Sequence, residues 1–239
     1  MVAHSLVEAP KTQTVMDAYN RRSIECRIAT ALISHALVAQ YGGPEIEFMG
    51  DLIPEKIGLS EEGLQLVVER AVEEKPYSIA DIASQLGITS DEVIKKWCMR
   101  NDGSFFPLPS KGFLLYQRLQ HVLTEWARVN AAYDSLQNGD MLQLGKLMDA
   151  SHASCRDLHQ ISCPELDMLT EISRKAGAIG SRLTGAGFGG CTISLVPNEL
   201  LDTYVKEIGK RYYRDQMQRK TWRDMIFIVR PESGAKRLM

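Results

Sequence analysis

The 239-residue sequence predicts an α+β fold, with helices packed on a small, mostly antiparallel sheet. Apolar residues recur at helical spacing along most of the chain, and only a few short segments are rich in β-prone residues. Those short segments lie near the two ends of the chain and on both sides of a glycine-rich loop, so they are not consecutive. Many helices beside a few non-consecutive strands are typical of an α+β protein.

In the first half we expect one short strand followed by four helices. Apolar positions three and four residues apart predict each helix, and a glycine or a polar stretch ends it. Residues 101–104 and 107–109 contain Asn, Asp, Gly and Pro, which predict an exposed loop after the fourth helix. The expected bounds are 5–8 for the strand and 20–40, 64–74, 79–85 and 90–100 for the helices.

The second half contains the clearest helix, Leu115–Gln137, whose apolar residues from Leu119 to Leu136 share one face. A helix over 141–155 should follow it. Ser162 and Glu165 have the spacing of a capping box, in which the serine hydroxyl accepts from the third amide and the glutamate reaches back to the cap. The remaining expected elements are a helix from this cap to Gly177, strands on both sides of the glycine loop, a helix through Leu201, Val205, Ile208 and Tyr212, and a closing strand over 225–229.

The most informative segment is the glycine loop, residues 185–190. Glycine adopts positive φ and lets other groups approach the main chain closely, and successive amides in such a loop can bind an anion. A dinucleotide-binding loop requires a helix after it, whereas residues 191–196 are β-prone, and a Walker A loop requires a lysine that is not present. The chain after the loop is too short for the later motifs of a protein kinase. Taken alone, the loop is better explained as a tight hairpin turn. Its residues are Gly185, Ala186, Gly187, Phe188, Gly189 and Gly190.

Composition and charge exclude several kinds of partner. The net charge is −2 and the pI is about 6.2, so no global field attracts nucleic acid or an anionic membrane. No apolar run reaches membrane-spanning length, and residues 1–10 lack the features of a secretion signal. Five scattered cysteines do not suggest a disulfide framework. We therefore expect a cytoplasmic protein with neither nucleic acid nor a membrane as its partner.

Residues 77–97 look like a helix-turn-helix, with two short helices around Gly87. DNA binding requires basic side chains that contact phosphates. This segment instead carries three acidic residues against two lysines. A packed helical hairpin is therefore favoured, and a DNA-binding protein is retained only as a remote alternative.

His152, Cys155, His159 and Cys163 are spaced like the ligands of a zinc site on a helix. A new helix is expected to begin at Ser162, which should take Cys163 away from the face that the other three share. We therefore expect no metal here. In this interpretation Ser151 and His152 support the glycine loop through hydrogen bonds.

Three segments resemble the third motif of the GHMP sugar kinases and the helices before it, and more narrowly the galactokinases. Residues 3–8, 19–26, 115–118 and 121–126 are similar to earlier parts of galactokinases, and residues 50–110 look like a feature of the fungal members. The similarity extends over nearly the whole chain and is strongest over 151–196. The three segments are Ser-His-Ala-Ser-Cys-Arg-Asp at 151–157, Ser-Cys-Pro-Glu-Leu-Asp at 162–167, and Gly-Ser-Arg-Leu-Thr-Gly-Ala-Gly-Phe-Gly-Gly-Cys at 180–191.

The resemblance implies that residues 1–239 form a GHMP kinase C-terminal domain with a helical insertion at about 51–110. It implies ATP-dependent phosphorylation of the C1 hydroxyl of galactose, with Mg²⁺. Galactokinases begin with a sugar-recognition segment, a phosphate loop and an Asp that is taken as the catalytic base, and none of these occurs in this sequence. We therefore expect the N-terminal ATP- and sugar-binding domain to be absent and the isolated chain to be inactive.

The resemblance also assigns roles to individual residues. Tyr19 corresponds to a tyrosine near the sugar, with packing at a helix start as the alternative. The amides of residues 185–190 would lie beside the sugar and the transferred phosphate. Arg182 would either pair with a carboxylate or brace its strand. No catalytic residue and no metal ligand is assigned in this chain.

Two further functions remain open for this sequence. Some fungal relatives of galactokinases act as sugar sensors that bind galactose and ATP and then capture a transcriptional repressor. Other GHMP kinases, such as mevalonate and homoserine kinases, share the glycine loop. The segments at 19–22 and 162–167 favour galactokinases over these kinases.

Overall fold

The computed structural model describes residues 1–8 and 13–230, and the chain divides into two compact units. Unit 1 comprises residues 1–10 and 127–239, and unit 2 comprises residues 11–126. The helical insertion expected at about 51–110 lies within unit 2. No helix in the described ranges is long and apolar enough to cross a membrane.

Unit 2 is helical. Its core is formed by apolar side chains that the helical spacing places on facing surfaces, among them Ile28, Leu32, Val67, Ile82 and Leu119. The elements are α1 (Gln13–Tyr41), a 3₁₀ turn (Met49–Asp51), α2 (Pro54–Ile57), α3 (Glu61–Ala71), α4 (Ile79–Leu86), α5 (Ser90–Val93) with its π-helical continuation (Ile94–Cys98), and the first part of α6 (Leu115–Gln137).

A buried ion pair joins α1 to the start of α6. The Nε of Arg118 donates to Oε2 of Glu25 at 2.6 Å, and the other carboxylate oxygen accepts the Leu114 amide at 3.0 Å. Both side chains are about 1% exposed. Because a buried charge is tolerated only when it is paired and hydrogen-bonded, this arrangement fixes where α6 meets α1.

Unit 1 is built on a four-stranded sheet in the order β2-β3-β1-β4, in which all neighbours are antiparallel. Helices pack against the sheet, and the core between them includes Leu169, Tyr204, Ile208, Tyr212 and Tyr213. The strands are β1 (Val2–His4), β2 (Gly180–Thr184), β3 (Cys191–Leu195) and β4 (Ile226–Phe227). The helices are α7 (Met141–Ser154) with its π-helical continuation (Cys155–His159), α8 (Pro164–Lys175), and α9 (Leu201–Ile208) with its π-helical continuation (Gly209–Gln216).

These elements confirm the α+β prediction and most of the expected helices. The expected strand over residues 5–8 is wrong, because β1 is Val2–His4. The chain leaves the strand after His4, and Ser5 and Val7 instead bond to Gly190 at the end of the glycine loop.

The shared apolar face of α6 is buried over only part of its length. Leu119 is buried, but Trp126 and Tyr133 are 62% and 63% exposed, and Val129 and Leu136 are exposed as well. Helical periodicity shows which residues share a face, but it does not show how far along the helix the neighbouring elements cover that face.

Candidate functional site

The glycine loop joins β2 to β3, and most of its backbone is left-handed. The φ angles are 82° at Gly185, 80° at Gly187, 138° at Gly189 and 82° at Gly190. Phe188 has a φ of 59°, which is strained for a residue with a side chain and costs on the order of 1–2 kcal/mol. Only a glycine-rich sequence can form this loop, because each of these positions would otherwise carry that strain.

Gly187 is required for a second reason. A Cβ atom at this position would overlap the carbonyl oxygen of Ile161, a main-chain atom that cannot move aside easily. A Cβ atom at Gly185 or Gly190 would meet nothing within 4 Å. The loop therefore rests on the segment before α8 at Gly187 and is open at its two ends.

Two of the six loop amides are used by the fold. The Phe188 amide donates to the Ile161 carbonyl at 2.7 Å, and the Gly190 amide donates to the Val7 carbonyl at 2.8 Å. Within residues 1–8 and 13–230, the amides of the other four loop residues have no acceptor. Unpaired amides in a left-handed loop are able to bind an oxyanion or a hydroxyl oxygen. The four residues are Gly185, Ala186, Gly187 and Gly189.

Helix α7 covers the outer edge of β2, the strand that leads into the loop. The Ser181 amide donates to Oδ1 of Asp149 at 2.9 Å, and the Leu183 amide donates to Nδ1 of His152 at 3.2 Å. Alternate amides of an edge strand face the same side, and the next one, that of Gly185, has no acceptor in the described residues. Side chains of α7 thus accept the outward-facing amides of β2, and the first outward-facing amide of the loop has no acceptor among the described residues.

The close approach of α7 to β2 depends on two glycines. A Cβ atom at Gly145 would overlap the Ile179 carbonyl, and one at Gly180 would overlap the Gly145 carbonyl. Gly145, Asp149 and His152 lie at helical spacing on one face of α7. This spacing brings a carboxylate and an imidazole within reach of the strand.

The hydrogen bonds of His152 define its neutral tautomer. Nδ1 accepts the Leu183 amide, so the ring proton is on Nε2, which lies 3.1 Å from both Oδ1 of Asp167 and Oγ1 of Thr170. Burial lowers the pKa of His152 below its usual value of 6.5, although the Asp167 carboxylate acts in the opposite direction. The imidazole is therefore a fixed structural group with one donor and one acceptor.

The expected capping box at Ser162 and Glu165 is wrong. Helix α8 begins at Pro164, with Cys163 as its N-cap and without a side-chain cap. Proline is well suited to the first helical position, since it needs no amide partner there. The Ser162 hydroxyl donates instead to Oδ1 of Asp167 at 2.6 Å.

The structure places the other expected site residues as follows. Ser151 is buried in α7, beside His152. Arg182 lies in β2, and its Nη2 is 3.9 Å from Sγ of Cys155, a contact that favours the role of a strand brace. Tyr19 lies in α1 of unit 2 and is 52% exposed, so it is not packed at a helix start. The structure thus places His152 and Arg182 at β2, the strand that leads into the loop, with Ser151 next to His152 in α7.

The sequence interpretation missed three contributors: Asp149, Asp167 and the carbonyl of Ile161. Asp149 was detectable in principle, because it lies one helical turn from His152 on the face that carries Gly145. The Ile161 carbonyl had no local signal, because its partner Phe188 is distant in sequence, and Asp167 had none that connects it to His152.

The described residues contain no group of three or more His, Cys, Asp or Glu side chains that could hold a metal ion. Of the four residues with zinc-like spacing, His152 is committed to Leu183, Asp167 and Thr170. The chemistry of this site is therefore that of backbone amides held by a rigid support.

Comparison with known proteins shows what this part of the chain is similar to. Residues 132–214 match the family model described as GHMP kinases C terminal. The galactokinase of Dictyostelium discoideum is 35% identical over 241 residues, which cover 89% of this chain and 45% of that protein. The galactokinase of Saccharomyces cerevisiae is 28% identical over 277 residues, which cover 98% of this chain and 51% of that protein. The chain therefore spans about half the length of these relatives.

The fold is also similar to that of a solved structure. The crystal structure of Lactococcus lactis galactokinase complexed with galactose superposes with a TM-score of 0.54 over 89% of this chain and 41% of that chain. The identity is 24%, so this similarity concerns the fold.

Proposed function

We propose that this chain, whose residues 132–214 belong to the GHMP kinase C-terminal family, forms the C-terminal part of a galactokinase. The observation that carries the proposal is the glycine loop with its four unpaired amides, in a chain whose similarity to galactokinases extends over most of its length. A kinase of this family uses ATP, and galactose is the proposed acceptor. The complete enzyme would convert ATP and galactose into ADP and galactose 1-phosphate.

In the proposed reaction, the C1 hydroxyl oxygen of galactose bonds to the γ-phosphorus of ATP, and the bond from that phosphorus to the bridging oxygen breaks. ADP leaves with the electron pair of the broken bond, and the hydroxyl proton passes to a base. Such a transfer depends mainly on positioning and charge neutralisation. We assign the loop amides the task of holding oxygen atoms of the sugar and of the transferred phosphoryl group.

The residues of the chain fit part of the required cofactor chemistry. Unpaired amides fit the oxygens of a phosphate, so Gly185, Ala186, Gly187 and Gly189 are the proposed contacts for the nucleotide and the sugar. Mg²⁺ would neutralise charge on the phosphates, but the described residues offer no group of ligands for it, so we assign it none here. We propose that the base and the metal ligands belong to a part of the enzyme outside these 239 residues.

Tyr19 is the proposed sugar contact in unit 2. Its phenol is able to donate and accept a hydrogen bond, and its side chain is exposed. Ser151, His152 and Arg182 are proposed to support the loop rather than to touch the substrate.

Two measurements test this function. The isolated chain, assayed for ADP release, should show no galactose-dependent turnover, since it carries no assigned base. A chimera in which the chain replaces the matching part of the Dictyostelium galactokinase should phosphorylate galactose.

Tyr19→Phe in that chimera should raise the KM for galactose and change the free energy of unfolding by no more than about 0.5 kcal/mol. A folded chimera without turnover would overturn the assignment of the chain to a galactokinase. Turnover by the isolated chain would refute the proposal that the catalytic base lies outside these 239 residues.

A further inference from the structure

Besides the bonds of Gly190 to Ser5 and Val7, two hydrogen bonds from different parts of unit 1 hold the glycine loop and the strand that leads into it at two further points. The Leu183 amide, two residues before the loop, donates to Nδ1 of His152 on α7. Within the loop, the Phe188 amide donates to the Ile161 carbonyl, which lies just before α8. Each point restrains one side of the loop, so the direction of its unpaired amides depends on both.

One carboxylate oxygen connects these two points. Oδ1 of Asp167 accepts from Nε2 of His152 at 3.1 Å and from the Ser162 hydroxyl at 2.6 Å. Ser162 follows Ile161 directly, so its hydrogen bond restrains the carbonyl on which Phe188 rests. Thr170 completes the arrangement, because its hydroxyl faces Nε2 while donating to the Asp167 carbonyl at 2.9 Å.

We propose that Asp167 is a positioning residue that couples the two supports of the glycine loop, through His152 to β2 and through Ser162 to Phe188. This inference rests on the proposed function, in which the loop amides hold the substrate. Asp167 itself is not assigned a contact with the substrate. Its role is to keep the loop in one conformation, so that the amides are in place before the ligand binds.

The coupling also makes the loop sensitive to protonation of His152. A second proton would be on Nδ1, where it would face the Leu183 amide, and two donors cannot share a hydrogen bond. The charged groups that act on His152 are Asp167 and Arg174 of α8 and Arg156 of the segment after α7, and the Asp157 carboxylate next to Arg156 also interacts with it. The Asp167 carboxylate favours the protonated ring, whereas burial and the two arginines favour the neutral ring that the geometry requires.

Amide hydrogen exchange of the 239-residue chain, followed by NMR, tests the coupling without any ligand. Asp167→Ala should speed exchange of both the Leu183 and the Phe188 amides, by about tenfold, the factor expected for losing one hydrogen bond to a charged group. Ser162→Ala should affect Phe188 alone. His152→Gln keeps an N–H donor near Asp167, but its acceptor oxygen is bonded to the same carbon as that donor and does not lie at the position of Nδ1, so it should affect Leu183 alone.

The matched control is Glu171→Ala, which removes an exposed carboxylate of α8 that pairs with Lys175 and should leave both amides unchanged. The Ser181 amide, held by Asp149, should keep its protection in every variant. A ring nitrogen spectrum of His152 should show the Nε2–H tautomer. Asp167→Asn, which retains an acceptor oxygen, should restore most of the protection lost in Asp167→Ala.

The inference is overturned if Asp167→Ala leaves the Phe188 exchange rate unchanged, or if His152 carries its proton on Nδ1. If Asp167→Ala fails to fold, Ser162→Ala tests the connection from Asp167 through Ser162 to Phe188, because it removes only a hydroxyl group. These exchange rates do not depend on catalysis. An inactive chimera with coupled amides would refute the function alone, and an active chimera with uncoupled amides would refute the positioning role alone.

Discussion

Two regions of the molecule contain helix starts with the same residue pattern and use them differently. In the hairpin of α4 and α5 in unit 2, the Ser78 hydroxyl accepts the Asp81 amide at 3.1 Å, and Thr89 and Glu92 form a second reciprocal cap. In unit 1, Ser162 forms no cap and bonds to Asp167 instead. The hairpin is held by neighbours in sequence, whereas the glycine loop is held by residues far from it in sequence. The sequence pattern of a helix cap predicts the structure correctly in the hairpin. It does not do so at Ser162, where the Asp167 carboxylate competes for the serine hydroxyl.

The largest effect should come from adding a methyl group to the glycine loop. Gly187→Ala combines left-handed backbone strain with overlap on the Ile161 carbonyl, so it should lower the free energy of unfolding by about 3 kcal/mol. Gly185→Ala, the matched control, carries only the backbone strain and should lower it by about 1 kcal/mol. Urea denaturation of the two variants measures the difference. Equal losses would show that the loop does not rest on Ile161.

A smaller effect should separate the two kinds of helix start. Ser78→Ala removes the side-chain cap of α4 and should lower the free energy of unfolding by about 1 kcal/mol. Amides in the first turn of α4 should also exchange faster. Ser162→Ala should leave the first turn of α8 unchanged, because that helix has no side-chain cap. Thermal denaturation and amide exchange of both variants provide the measurement. Loosening of the first turn of α8 in Ser162→Ala would contradict the distinction.

The smallest expected effect is the pH dependence that His152 confers on unit 1. The pKa of His152 is lowered from 6.5 in the folded chain, so the unfolded chain binds a proton from about pH 6.5 downward while the folded chain does not. The free energy of unfolding should therefore fall as the pH decreases through this window and be independent of His152 above it. The opposing effect of Asp167 keeps the change small.

The difference between the wild-type chain and His152→Gln isolates this contribution, because the other titrating groups are common to both. The wild-type chain should lose more stability than the variant between pH 7 and the lowered pKa. A wild-type chain that gains stability relative to the variant on acidification would mean that the folded chain holds a charged imidazole.

Parts of the fold follow from short stretches of sequence. Gly87 with the polar residues around it predicts the hairpin of unit 2, and its φ of 68° shows the left-handed helix end that glycine favours. The apolar spacing of residues 115–137 predicts α6 with its correct bounds. The glycine content of residues 185–190 predicts a loop with left-handed backbone, because glycine adopts positive φ without the steric cost that a side chain imposes.

Local features of the chain thus specify the helices, the strands beside the glycine loop and the loop itself, since their causes lie within a few residues. Tertiary packing decides which loop amides remain unpaired, that the Asp167 carboxylate meets His152 of α7, and which ring nitrogen of His152 carries the proton. It also decides that the exposed end of the α6 face is uncovered. Each of these outcomes is a competition between partners distant in sequence, and only the three-dimensional arrangement brings those partners within hydrogen-bonding or van der Waals distance.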